Sequence, residues 1–116
     1  LTSLDKKQTK KYYNEQNVKS LVKKFAMYGK KNRLNGLVCS PLEIEIVRKE
    51  VGKKMILVVP GIRLEKKIFS KKDDQKRTMT PKEAIKLGAD YLVIGRPIIE
   101  SKNPLATIKK INQSIQ

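Results

Sequence analysis

The stretch Met55-Ile56-Leu57-Val58-Val59-Pro60-Gly61-Ile62-Arg63 decides the fold. Its first five residues are apolar without a break, several are β-branched, and Pro60-Gly61 stops them. Such a run reads as a strand of a parallel sheet, covered on both faces. Working outward, Tyr91-Leu92-Val93-Ile94 is a similar run, stopped by Gly95 and followed by Arg96. Leu34 to Cys39 is a shorter strand candidate, and Leu1-Thr2-Ser3 reads as the tail of another. Helix signals lie between them. Val18, Leu21, Val22, Phe25 and Ala26 share one helical face, which Gly29 and Lys30-Lys31-Asn32 should end. Ser40-Pro41-Leu42-Glu43 and Thr80-Pro81-Lys82-Glu83 both have the spacing of a capping box with proline as first helical residue. Ile44, Val47 and Val51 extend the first helix to Gly52. Ala84, Ile85 and Leu87 extend the second to Gly88. Asn103-Pro104 opens a last helix carrying Leu105, Ile108, Ile111 and Ile115.

Apolar strands linked by helices imply an α/β fold with a parallel sheet. An open doubly wound sheet and a (β/α)8 barrel both fit. The barrel needs about 250 residues. Half of one would be near the 116 residues of this chain, which could be the second half.

Composition narrows the chemistry. The chain has 27 Lys+Arg against 11 Asp+Glu, a formal net charge of +16, and no His. Without imidazole, Ser-His-Asp triads and His-metal sites are excluded. The single cysteine, Cys39, rules out an internal disulfide and suits a reducing cytoplasm. It reads as a small buried apolar residue, because nothing nearby in sequence would activate a thiolate. The charge suggests nucleic acid at first. However, the lysines are spread along the chain and the few aromatics do not alternate with arginine, so a solvated lysine-rich surface is the better reading. The apolar runs are far too short to span a membrane.

Two segments carry chemistry, Pro60-Gly61-Ile62-Arg63 and Ile94-Gly95-Arg96-Pro97. Each ends a strand with glycine and sets arginine just beyond. Glycine lets backbone approach a ligand closely, and the guanidinium fork matches phosphate. In barrels, the loops after the seventh and eighth strands often form a phosphate site. Pro97 should start a short helix and leave the Gly95 and Arg96 N–H groups facing an anion. The link from Leu64 to Met79 is long for a compact domain and reads as a lid or a disordered loop. Asp90 should help the turn before its strand. No pair of Asp and Glu residues stands out as acid and base.

Together, Pro60-Gly61-Ile62-Arg63, Asp74-Gln75-Lys76-Arg77-Thr78-Met79-Thr80-Pro81 and Gly88-Ala89-Asp90-Tyr91-Leu92-Val93-Ile94-Gly95-Arg96-Pro97-Ile98 resemble the C-terminal half of orotidine 5′-phosphate decarboxylase. Leu1-Thr2-Ser3 and Gly36-Leu37-Val38-Cys39-Ser40 fit in the same order. The resemblance implies an α/β fold, the C-terminal half of a (β/α)8 TIM barrel, with strands five to eight and their helices over residues 1–116. It implies a cytoplasmic homodimer that decarboxylates orotidine 5′-monophosphate to uridine 5′-monophosphate. No metal or organic cofactor, nucleic acid or membrane is expected to take part. It implies that Arg96 and the Gly95 backbone hold the 5′-phosphate, and that Gln75 bridges phosphate and pyrimidine from the lid. Arg63 would contact substrate beside the phosphate, while Thr2 and Pro60 would face the ring. The family's Asp-x-Lys-x-x-Asp catalytic motif does not occur here, so this chain carries no catalytic residue and is expected to be inactive alone. Another phosphate-binding barrel enzyme, or a basic βα protein associated with nucleic acid, is the alternative.

Overall fold

The computed structural model describes residues 4–15, 17–64 and 79–116. In chain order these form α1 (Lys6–Tyr13), α2 (Val18–Lys31), β1 (Gly36–Val38), a 3₁₀ turn (Pro41–Glu43), α3 (Ile44–Val51) and β2 (Ile56–Pro60). There follow α4 (Pro81–Leu87), β3 (Tyr91–Val93), α5 (Arg96–Ile99) and α6 (Pro104–Ile115). The strands form a parallel sheet in the order β1-β2-β3, with Val38 level with Val58 and Pro60 level with Val93. The expectation of an α/β fold with helix-linked parallel strands holds.

The core lies on one face of this sheet. Leu57 and Val59 point into it and meet Val22 and Ala26 of α2, Val47 and Val51 of α3 and Ala84 of α4. The opposite face carries Val38, Ile56, Tyr91 and Val93, all exposed. The expectation that β2 is covered on both faces is therefore corrected. Strand side chains alternate, and the described residues supply helices for one side only.

Local chemistry explains most boundaries. Asn17 and Asn103 cap α2 and α6 by accepting from the Ser20 and Ala106 N–H groups, each at 3.1 Å. Thr80 and Glu83 form the expected reciprocal box at α4, and Gly88 ends that helix at φ 108°. Two helix readings need correction. Helix α2 ends at Lys31 with Asn32 as its cap, inside the expected run, but Gly29 lies within the helix and does not end it. Gly29 instead sits where a Cβ would come 2.9 Å from Leu37 Cδ2, so its missing side chain lets helix and strand pack closely. The Ser40 box does not form either. The chain takes a 3₁₀ turn there, and Ser40 makes no side-chain cap. Helix α1 was not anticipated. Its own box joins Asp5 and Gln8, but its sequence KKQTKKYY has no apolar stripe to betray it.

The carboxyl end of β2 extends into a neck. Gly61 turns at φ 81°, Ile62 bridges Met79, and the Arg63 N–H donates to the Met79 carbonyl at 3.0 Å. Residues 62 and 63 thus lie beside Met79. Of the anticipated lid, Leu64 to Met79, residues 65–78 lie outside the described residues.

Candidate functional site

Parallel pairing places all three strand ends on one rim. Gly61 follows Pro60 directly and Gly95 follows Val93 by two residues, so the level pair Pro60 and Val93 sets both glycines at adjacent strand tips. Adjacent strands are about 4.8 Å apart, so the tips can face one ligand. Gly61 needs its glycine, because φ 81° is left-handed. Gly95 differs. A Cβ there would meet nothing within 4 Å, so the space in front of it is open to an incoming group.

Arg96 is the first residue of α5 and Pro97 the second, as anticipated for a short helix beyond the tip. The Ile98 and Ile99 N–H groups close back onto the Gly95 carbonyl at 2.8 and 3.2 Å, which fixes the turn. Arg63 follows the β2 tip at the neck, where its Nη1 donates to the Ile62 carbonyl at 3.3 Å. Among the expected site residues, the rim brings together Pro60, Arg63, Gly95 and Arg96. Thr2 and Gln75 lie outside the described residues.

The β1 tip belongs to the same rim. Cys39 is buried as expected, and burial, then the nearby Glu43 carboxylate, push its thiol up to about 11 against a smaller pull from Arg48. A thiol in this state is no nucleophile at neutral pH.

The opposite end of the sheet holds a residue that the sequence did not reveal. The Arg48 guanidinium donates to the Gly52, Met55 and Gly88 carbonyls. It also donates to the Asp90 carboxylate at 2.6 Å. Asp90 accepts from the Leu57 N–H at 2.7 Å as well. Desolvation raises the Asp90 pKa, but the Leu57 N–H and the Arg48 guanidinium outweigh it and hold the carboxyl below its usual range. This latch joins α3, β2 and the turn before β3 at the amino end, where such residues serve stability rather than chemistry. Asp90 was legible as a turn residue. Arg48 was not, because its partners lie up to 42 residues away. No helix among the described residues is long and apolar enough to cross a membrane.

Fold and rim together define a parallel α/β protein of the kind that binds ligands beyond the carboxyl ends of its strands. Comparison with known proteins makes this specific. The chain belongs to the orotidine 5′-phosphate decarboxylase / HUMPS family, whose sequence model matches residues 1–111. It is 44% identical over 116 residues to orotidine 5′-phosphate decarboxylase of Coxiella burnetii, covering 100% of this chain and 48% of that protein. It is 57% identical over 82 residues to the enzyme of the same name from Glaesserella parasuis, covering 71% of this chain and 34% of the relative. The crystal structure of orotidine 5′-phosphate decarboxylase from Lactobacillus acidophilus superposes with a TM-score of 0.79 at 27% identity. That match covers 100% of this chain and 46% of the other. The chain thus spans about half the length, or less, of the relatives it matches.

Proposed function

We propose that this chain is the phosphate- and pyrimidine-binding half, strands five to eight, of a barrel that decarboxylates orotidine 5′-monophosphate to uridine 5′-monophosphate in pyrimidine biosynthesis. The observation that carries the reading is the pair of glycine-ended tips, at Gly61 and Gly95, side by side on one rim with an arginine beyond each. The family match over residues 1–111 supports the substrate class.

On this reading Arg96 and the Gly95 backbone grip the 5′-phosphate, and Arg63 stands beside it. Pro60 and Thr2 face the ring, and Gln75 reaches both ends of the substrate. The phosphate is remote from the bond that breaks. Its binding free energy can therefore assemble the site around the pyrimidine and accelerate a step it does not touch. The lysine and aspartates that stabilise and protonate the ring carbon would come from the part of the barrel outside this chain, without a metal or organic cofactor. A cytoplasmic homodimer is the expected form of the complete enzyme.

Steady-state kinetics test the reading. Charge-assisted hydrogen bonds contribute about 1.5–3 kcal/mol each. Arg96→Ala in the complete enzyme should therefore lower kcat/KM by roughly 10- to 100-fold or more. An unchanged kcat/KM rejects the role. This chain alone should not turn over orotidine 5′-monophosphate, and turnover by it would overturn the division of roles.

A further inference from the structure

The three strand tips are not alike. Val38 is level with Val58, and pairing runs one residue past β1 through the Cys39 N–H to the Val58 carbonyl at 3.2 Å. Ser40 follows directly at this tip, two residues beyond the Val38 pairing, as Pro60 lies two beyond Val58, and Pro60 is level with Val93. Ser40 is only 3% exposed, and its Oγ has no hydrogen-bond partner among the described residues. Glu43, three residues on, is 4% exposed, rare for an acid. Both line one cavity of about 80 Å³ between Val22 and Ala26 of α2 and Val47 of α3.

A buried hydroxyl without a partner is costly unless something in its cavity satisfies it. A water needs roughly 10–15 Å³ of comparable space and two or more polar partners. The cavity exceeds that volume, and Ser40 and Glu43 supply two partners. Resting on the reading of the rim given above, we propose that Ser40 and Glu43 are positioning residues. Water held between them fixes the β1 tip and, across the sheet, the neighbouring Pro60 against the pyrimidine. The Ser40 hydroxyl donates to the water oxygen, and the water donates to the Glu43 carboxylate. Cys39, whose thiol Glu43 helps to push up, lines the same cavity.

Neither residue touches substrate on this account, so the phosphate grip is untouched and the geometry around the ring is what changes. In the full-length enzyme, Ser40→Ala and Glu43→Gln should lower kcat about three- to tenfold, with KM for orotidine 5′-monophosphate within about twofold. Ser40→Thr, which keeps the hydroxyl, should retain most of kcat. Ser40→Ala should also lower the Tm, because the water loses a partner. Should Glu43→Gln fail to fold, Ser40→Ala carries the test. A Tm that rises or stays level in Ser40→Ala overturns the proposal, since deleting an unsatisfied hydroxyl from a dry cavity relieves its desolvation. An unchanged kcat in a folded Ser40→Ala overturns it as well. If the unaltered enzyme does not decarboxylate this substrate, the functional reading fails. The sign of the Ser40→Ala change in Tm still decides the hydrated link.

Discussion

Cys39 is a thiol that its surroundings silence. Its value of about 11 arises first from burial and then from Glu43. The charged form is the one disfavoured on folding. The neutral thiol thus contributes no pH dependence below the ordinary thiol range, and stability falls as pH rises from there toward 11. At pH about 8, a thiol-specific disulfide reagent should react with the native protein roughly 100-fold more slowly than with the denatured chain, as two pH units of thiolate population require. Equal rates would mean that Cys39 is not held inside. Arg48 offers the opposite sign. Asp90 has a depressed pKa, so its contribution is present above the ordinary carboxylate value and is lost as pH falls through the lower folded value. Solvent reaches that carboxylate, so its share is small. The guanidinium itself is largely buried and serves three carbonyls. Arg48→Ala should therefore destabilise by roughly 2–4 kcal/mol in denaturant unfolding, far more than Asp90→Asn. A sequence can mark Asp90 because its role is local. It cannot mark Arg48, whose partners at Gly88 and Asp90 become neighbours only after the sheet has formed.

At the level of elements, two segments with the same spacing behave differently. Thr80 and Glu83 close a box on α4, while Ser40 and Glu43 turn inward beside a cavity. The pattern Ser/Thr-Pro-x-Glu encodes the start of a turn, and the packing around it decides whether the acid reaches back or is buried. Thr80→Ala should consequently cost about 1 kcal/mol, the ordinary worth of a cap, with a modest drop in Tm. Gly36→Ala should cost more. An added Cβ would lie 2.8 Å from the Ile56 carbonyl oxygen, backbone against backbone, where β1 pairs with β2. A loss of roughly 1–3 kcal/mol is expected, measurable as a lower denaturant midpoint, and a neutral result would contradict the close pairing of these strands. The strands themselves were legible from their apolar runs, and α2, α4 and α6 from periodicity and caps. Helix α1 was hidden because Thr9 is its only buried residue.

On the scale of the molecule, the sheet has one dry face and one wet one. Val38, Tyr91, Val93 and Ile56 are 66%, 61%, 52% and 40% exposed on the wet face. A contiguous apolar surface of this kind marks an interaction face, and in a closed barrel it would point inward. Charge opposes the simplest way of covering it, since two copies would each bring a net +16. That repulsion acts through solvent and is screened over about 10 Å at 0.1 M salt, and over less as salt rises. Apolar contact is not weakened by salt in this way. The chain on its own should thus remain dispersed at about 50 mM salt and associate progressively at about 500 mM, the reverse of an assembly held by ion pairs. Sedimentation velocity across that range reads the association. Binding of a fluorescent dye specific for apolar surface, strongest in the dispersed state, reads the open face. Adding the amino-terminal half of a relative in trans should quench the dye and abolish the salt response. A monomer that binds no dye and ignores salt would mean that the wet face is already covered, and the half-barrel reading would have to be abandoned.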